Sequence, residues 1–181
     1  MQPAEALRQA AALVMIDVPG TRLDAATEGL LARYPLRAVC LFRRNLDGVA
    51  GTQALCRSLH DKLGAKALIA IDQEGGAVSR ATFVPVAPSA MALGAIGSAE
   101  RAEQIGAAVA RGLANLGVNW NFAPGLDVNN NPANPVIGER SFSENPDRVT
   151  ELAGAWMQGS LAEGVACCVK HFPGHGDTHE D

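Results

Sequence analysis

The stretch Ala166-Cys-Cys-Val-Lys-His-Phe-Pro-Gly-His-Gly-Asp-Thr-His-Glu-Asp181 joins a short apolar segment to a loop rich in ionisable groups. Its first four residues predict a buried strand, and the polar part begins with Lys170 and His171. Pro173 and Gly174 disfavour a helix after that point. Ionisable side chains at the carboxyl end of a strand are how barrel and doubly wound proteins build a site. The stretch therefore predicts an α/β protein with a site at its strand ends.

Four more apolar segments precede this one, and a predicted helix separates each from the next. The predicted strands are 12–18, 38–42, 67–71, 118–122 and 166–169, and the predicted helices lie in 23–34, 52–64, 98–117 and 145–164. Apolar strands that alternate with helices indicate a parallel sheet covered on both faces. The pattern fits a (β/α)₈ TIM-type barrel with about five of its eight strands present, or a complete open sheet of five strands. Polar residues after every strand, and no glycine-rich phosphate loop after the first, favour the barrel.

Length and composition limit the classes of protein to which the chain can belong. The 181 residues, 48% of them hydrophobic, are enough for one core, and we expect a single partial barrel domain over 1–181, truncated at its carboxyl end. A net charge of -4 argues against nucleic acid or an anionic membrane as partner. No apolar run reaches the roughly 20 residues that span a bilayer, and the first residues do not form a signal peptide. Four cysteines without a CxxC spacing predict buried thiols in a reducing cytoplasm.

Residues 72–80, after the third predicted strand, hold the first candidate site residues. Asp72 follows Ile-Ala-Ile directly, and the pair Gly75-Gly76 would let a ligand approach the backbone closely. A turn-capping carboxylate is the structural alternative for Asp72. Glu74 fits a turn residue as well as a site residue, and Arg80 fits either a ligand-binding cation or a surface charge.

The long segment 124–145 is rich in Asn, Pro and Gly and predicts an ordered, functional loop. Within it, Arg140 offers a planar donor fork that suits paired sugar hydroxyls or a carbonyl oxygen. Alternatively, Arg140 would pin the loop by pairing with Glu139 or Glu144. Asp127 is expected to brace the same loop through backbone amides.

Lys170 and His171 are neighbours at the end of the fifth strand, so one should point to the site and the other along the wall. His171, His175, Asp177 and His179 also suggest a metal site, because histidine and carboxylate are common zinc and iron ligands. The Pro and Gly residues between them rule out ligation from one helix face. We therefore favour an ionisable loop for proton transfer, and we predict no metal or cofactor.

Four motifs in sequence order together resemble glycoside hydrolase family three. They are Asp72-Gln-Glu-Gly-Gly76, Asn121-Phe-Ala-Pro124, Val136-Ile-Gly-Glu-Arg-Ser-Phe142 and Lys170-His-Phe-Pro-Gly-His-Gly-Asp-Thr178. Within that family they look most like the bacterial β-N-acetylhexosaminidases of peptidoglycan recycling. The resemblance runs through nearly the whole chain.

The resemblance implies a (β/α)₈ barrel and retaining hydrolysis, without a cofactor, of terminal β-linked N-acetylglucosamine, as in GlcNAc-containing muropeptides. It implies five substrate-binding positions, which are Asp72, Arg80, Arg140, Lys170 and His171. It also matches Asp181 to the aspartate of the family's Asp–His acid/base dyad. The small carbohydrate is the expected partner.

Two departures from the family pattern affect what the 181 residues can do. The dyad histidine and the nucleophile aspartate have no match in the chain, so we expect no turnover from it alone. Ala77 stands where the family usually has arginine. The alternatives are a non-catalytic carbohydrate-binding protein, a phosphorylase or β-glucosidase of the same family and, most distantly, a metal hydrolase.

Overall fold

The computed structural model describes residues 3–180, which form six α-helices and seven short strands. The helices are α1 (Pro3–Ala11), α2 (Ala25–Arg33), α3 (Gly48–Leu63), α4 (Ala90–Ile96), α5 (Ala99–Leu116) and α6 (Pro146–Ala162). The strands are β1 (Met15–Ile16), β2 (Ala38–Leu41), β3 (Leu68–Ile71), β4 (Gln73–Gly75), β5 (Val78–Ser79), β6 (Trp120–Asn121) and β7 (Ala166–Cys167). None of the helices in this part of the chain is long and apolar enough to cross a membrane.

The main sheet has five parallel strands in the order β1-β2-β3-β6-β7. These are the five predicted strands, in chain order, and the predicted helices lie between them. Each strand is shorter than the apolar run that predicted it, because only residues paired with a neighbouring strand belong to the ladder. Parallel pairing places the carboxyl ends of all five strands at one edge of the sheet, which is where the polar loops begin.

The core lies between the sheet and the helices. Val39, Leu41, Ile69 and Ile71 of β2 and β3 are completely buried, as is nearly all of Trp156 from α6. This confirms the prediction of buried strands for β2 and β3. It is wrong for the fifth strand, where Ala166 is exposed, Cys167 and Cys168 are half-buried and Val169 is 43% exposed, because β7 lies at the edge of the sheet.

Two helices, α5 and α6, pack against each other at unusually close range. A Cβ at Gly106 would lie 2.0 Å from the carbonyl oxygen of Trp156, and one at Gly159 would lie 2.0 Å from that of Glu103. Only glycine permits such an approach of two backbones. The two glycines thus set the distance between α5, which precedes β6 in the chain, and α6, which follows it.

Local capping signals predicted several helix ends correctly. The Ser98 side chain caps α5, which ends at Gly117, and Asn145 caps α6, with Pro146 at its first position. The prediction that the second of the four helices begins at Thr52 is wrong. Helix α3 already begins at Gly48, so Thr52 lies within it, fully buried, and its hydroxyl has no hydrogen-bond partner in the described part of the chain.

Three elements after β3 were not predicted. Strands β4 and β5 form an antiparallel hairpin, and α4 follows it with Ser89 as its cap and Gly97 after its last residue. The last residue of β4 needs to be glycine, because Gly75 has a φ of +109° and a Cβ there would lie 2.4 Å from the Pro88 carbonyl oxygen. The hairpin carries Glu74 and leads into Arg80, so it positions two charged side chains at the sheet edge.

Candidate active site

The carboxyl ends of β3 and β7 bring together charged residues that are far apart in the chain. The ammonium Nζ of Lys170 lies 2.7 Å from Asp72 Oδ1 and 2.5 Å from Glu74 Oε1. The three side chains are only 15%, 17% and 8% exposed, respectively. Charges this far from water need partners, and each of these groups has at least one. The predicted convergence of Asp72 and Lys170 is therefore present in the structure.

Asp72 also contacts the predicted cation Arg80, whose Nη2 lies 3.4 Å from Asp72 Oδ2. The buried amide of Gln73 fixes this geometry. Its Oε1 accepts hydrogen bonds from the backbone N–H groups of Arg80 and Ala81 at 2.9 and 3.0 Å. Asn121 on β6 in turn holds the Gln73 backbone, accepting from its N–H at 3.0 Å and donating to its carbonyl at 2.9 Å.

Arg140, from the long loop, forms a fork-to-fork pair with Glu74. Its Nε and Nη2 donate to the two Glu74 carboxylate oxygens at 3.0 and 2.9 Å. The alternative that Arg140 pairs with Glu139 or Glu144 is therefore wrong. Glu139 instead accepts the Ala77 backbone N–H at 2.9 Å.

Electrostatics keep the Arg140 guanidinium charged. Burial by itself would lower the pKa of Arg140, but the hydrogen bonds and charge of Glu74, with further help from Asp127 and Asp72, raise that pKa above its ordinary value. Arg140 is thus a permanent cation within the site, and it depends mainly on Glu74 for its balance.

His171 lies on the other side of Arg140. Its Nε2 is 3.1 Å from Arg140 Nη2, and its Nδ1 is 2.7 Å from Asp127 Oδ2. The expectation that only one of Lys170 and His171 points to the site, and the other along the wall, is wrong. Both belong to one continuous series of contacts, because Lys170 reaches Glu74 and His171 reaches the arginine that Glu74 binds.

We refer to this series as the charged network. Its members, in order of contact, are Arg80, Asp72, Lys170, Glu74, Arg140, His171 and Asp127. Three cations and three carboxylates alternate along it, apart from the histidine, so the formal charges balance. The network contains all five predicted substrate-binding residues together with Glu74 and Asp127.

The loop after β7 is docked onto the long loop after β6. The Asn134 side chain donates to the His175 carbonyl at 2.6 Å, and Asn131 donates to the Thr178 carbonyl at 3.0 Å. Gly176 passes so close that a Cβ there would lie 1.7 Å from the Val128 carbonyl oxygen. These contacts confirm that the long loop is ordered.

The same loop carries the residues that suggested a metal site. Asp177 and His179 are exposed, while His175 is half-buried and its Nδ1 contacts the Thr178 hydroxyl. Across residues 3–180, no three side chains of His, Cys, Asp or Glu converge as metal ligands. Asp181, the predicted acid/base aspartate, lies outside the described residues.

The pKa of the Cys40 thiol on β2 depends on burial and on nearby charges of the network. Burial raises the pKa of Cys40 to about 11, with a smaller contribution from the negative charge of Asp72, against the lowering effects of Arg80 and Lys170. The thiol is therefore protonated at neutral pH. It contributes a small apolar surface and not a nucleophile.

The structure gives Glu74 and Asp127 larger roles than the sequence predicted. Asp127 does bind backbone amides as expected, but it also binds the His171 ring. Glu74 is a central carboxylate and not a turn residue. Their partners lie 66 and 44 positions away in the chain, so short-range patterns could not identify them. The only sequence signal was their place after predicted strands.

Comparison with known proteins gives a consistent result. A family profile described as "Glycosyl hydrolase family 3 N terminal domain" matches residues 7–181. A protein named beta-hexosaminidase A from Pseudoalteromonas piscicida is 40% identical over an alignment of 171 positions, which covers 89% of this chain and 29% of the relative. A beta-hexosaminidase from Idiomarina loihiensis is 35% identical over 94% of this chain and 52% of its own length.

Solved structures agree with this result. A family 3 β-N-acetylglucosaminidase from Paenibacillus superposes with a TM-score of 0.93 at 41% identity, covering 97% of this chain and 34% of that one. The protein NagZ from Neisseria gonorrhoeae, solved with N-trifluoroacetyl-D-glucosamine, superposes with a TM-score of 0.85 at 34% identity, covering 93% of this chain and 51% of its own. The fold is that of part of a TIM-type (β/α)₈ barrel, and the chain spans about half or less of the length of these relatives.

Proposed function

Because the chain belongs to glycosyl hydrolase family 3, we propose that it carries the sugar-binding part of a β-N-acetylhexosaminidase active site. The whole protein would hydrolyse terminal, non-reducing β-linked N-acetylglucosamine. The observation that supports this most directly is the position of Asp72 between Lys170 and Arg80, at 2.7 and 3.4 Å. The names of the relatives, which are hexosaminidases, support the same substrate class.

A sugar hydroxyl is both a donor and an acceptor, so it is best bound between a carboxylate and a cation. A carboxylate offers about four lone-pair directions, and in Asp72 the two cations use two of them, which leaves room for hydroxyl donors. Lys170 and Arg80 can then donate to the oxygens of the same hydroxyls. Arg80 Nε is buried and has no partner among residues 3–180, so a ligand oxygen could satisfy it.

In this proposal the charged network binds and orients the sugar and does not itself break the bond. Retaining hydrolysis needs a nucleophile and an acid/base on either side of the glycosidic bond. By the family pattern, Asp181 is one member of the acid/base dyad. The other member and the nucleophile have no match among the 181 residues. We therefore expect the 181-residue chain to bind the sugar without hydrolysing it.

A chromogenic β-N-acetylglucosaminide tests whether the 181 residues turn over substrate. We expect no hydrolysis above a blank. Hydrolysis that disappears in the variant Asp181→Asn would contradict this expectation and give these residues a complete catalytic centre.

A finer proposal concerns the substrate. We propose a muropeptide in which N-acetylglucosamine caps anhydro-N-acetylmuramic acid, as produced during peptidoglycan recycling, because the four motifs look most like that group of the family. The test is competition between this disaccharide and N,N'-diacetylchitobiose for the chain. Equal affinity would leave the family assignment intact and remove the muropeptide preference.

We also propose a cytoplasmic location. All four cysteines are free thiols, two of them buried, which suits a reducing compartment. Fractionation of expressing cells should place the protein with a cytoplasmic marker. Recovery in the periplasm or the medium would contradict the proposal.

Calorimetric titration of the 181-residue chain with N-acetylglucosamine tests the main proposal. We expect saturable binding that weakens by at least about tenfold in Asp72→Asn, because a hydrogen bond to a charged group is worth about 1.5–3 kcal/mol. The matched control is Glu139→Gln, which changes a neighbouring carboxylate outside the network and should bind like the wild type. Absence of binding, or equal loss in both variants, would overturn the proposal.

A further inference from the structure

The buried carboxylate of Asp127 is a second centre of organisation in the site, beside Asp72. Its side chain is 1% exposed. Among residues 3–180, its side-chain hydrogen bonds go to the segment 171–175. Oδ2 accepts from the His171 backbone N–H at 3.3 Å and contacts His171 Nδ1 at 2.7 Å, and Oδ1 accepts from the His175 backbone N–H at 2.7 Å.

The partners of His171 define its protonation state. Arg140 Nη2, 3.1 Å from His171 Nε2, can only donate a hydrogen bond, so Nε2 must be the acceptor and carry no proton. The Asp127 carboxylate on the other side can only accept, so Nδ1 must carry the proton. Both contacts require the same neutral tautomer of His171, with its hydrogen on Nδ1.

We propose that Asp127 is a positioning residue that holds His171 in this tautomer, so that Nε2 presents a lone pair to the site. His171 Nε2 then accepts a hydrogen bond, from Arg140 in the free site and from a sugar hydroxyl in the occupied one, while Nδ1–H donates to Asp127. This inference rests on the proposed function for the identity of the ligand. Its structural part, the tautomer, stands independently of the ligand.

Asp127 also couples the histidine to the loop. The oxygen that does not bind His171 binds the start of the turn at His175. The Ser141 hydroxyl holds Asp127 itself, donating to its carbonyl at 2.6 Å. A displacement of Asp127 would therefore move both the ring that accepts a hydrogen bond from Arg140 and the loop that begins at His175.

The isosteric variant Asp127→Asn separates these functions from simple space-filling. An asparagine has one acceptor oxygen and one donor NH₂ group in place of two acceptors. If the NH₂ group faces His171, it opposes Nδ1–H and forces the proton to Nε2, where it opposes Arg140. If the NH₂ group faces His175 instead, it opposes the backbone N–H and releases the loop. Neither orientation satisfies both sides.

The experiment is two-bond ¹H–¹⁵N NMR of the 181-residue chain with ¹⁵N-labelled histidine, with the ring of His171 assigned by its loss in His171→Phe. In the wild type we expect Nδ1 in the range of a protonated nitrogen and Nε2 in that of an unprotonated one. In Asp127→Asn we expect this pattern to be lost or mixed and the affinity for N-acetylglucosamine to fall by at least about tenfold. The matched control Asn131→Ala releases the loop at Thr178 without contacting His171 and should keep the pattern.

Two results would overturn the proposal. One is a proton on Nε2 in the wild type, which needs no variant and decides the matter even if Asp127→Asn does not fold. The other is an unchanged His171 pattern in folded Asp127→Asn. A wild type with the expected tautomer but without affinity for N-acetylglucosamine would overturn the proposed function and leave Asp127 as the residue that positions the histidine.

Discussion

Glu74 is the carboxylate on which two buried cations depend, so its replacement by glutamine should be costly. Glu74 is 8% exposed and accepts two hydrogen bonds from Arg140, at 3.0 and 2.9 Å, while Lys170 lies 2.5 Å away. Glutamine keeps the shape but removes the charge, and it turns one acceptor into a donor that faces Arg140 or Lys170.

The magnitude follows from the burial of the partners. Removal of one partner from a buried ion pair costs about 3–5 kcal/mol, and the lower end applies here because Arg140 and Lys170 are 17% and 15% exposed. We expect Glu74→Gln to lower the free energy of unfolding by about 3 kcal/mol, which for a domain of this size is about 6–12 °C in Tm.

Urea denaturation and calorimetry of the chain measure both quantities. The matched control is Glu139→Gln, because Glu139 accepts a single hydrogen bond, from the backbone of Ala77, and the glutamine oxygen can keep it. The control should unfold within about 0.5 kcal/mol of the wild type, as surface substitutions usually do. If Glu74→Gln were no more destabilising than Glu139→Gln, Glu74 would not be the carboxylate that balances the network.

Two further predictions concern helix packing and a buried thiol. Gly106→Ala should destabilise the chain by about 1–3 kcal/mol, because its Cβ would lie 2.0 Å from the Trp156 carbonyl oxygen. Gly154→Ala, in a helix with nothing within 4 Å of the new Cβ, should stabilise it by about 0.5–1 kcal/mol, and thermal unfolding compares the two. Burial raises the pKa of Cys56 to about 12 from its ordinary 9.0, so its contribution to stability is complete below pH 9 and is lost as pH rises from 9 towards 12. Urea midpoints measured between pH 8 and 11 should therefore fall more steeply for the wild type than for Cys56→Ala, and equal slopes would contradict the raised pKa.

Sequence patterns predicted the features of this fold that depend on neighbouring residues. Ser98, Gly117 and the pair Asn145-Pro146 mark helix ends through contacts within three or four positions, and they were identified correctly. Thr52 was misread, since a threonine before a leucine repeat also fits the middle of a helix. Helix α4 lies between a capping serine, Ser89, and a terminating glycine, Gly97. These two residues could have predicted the helix, but the apolar run between them is too short to show helical periodicity.

The location of the site was predictable from the sequence, but most of the pairings between its side chains were not. Asp72 and Lys170 directly follow apolar strands, and parallel strands bring such residues to one edge of the sheet. The pairings of Arg140 with Glu74 and of His171 with Asp127 depend on how a long, irregular loop folds back over the hairpin. No periodic pattern encodes that path, and the local alternatives for Arg140 were therefore wrong.

A crystal structure of the chain soaked with N-acetylglucosamine would reveal whether the charged network is the sugar site. We expect the sugar at the carboxyl ends of β3 and β7, with its hydroxyls within hydrogen-bonding distance of Asp72, Lys170 and Arg80. A sugar bound elsewhere, or no contact between the bound sugar and these three side chains, would contradict the assignment of the charged network as the sugar site.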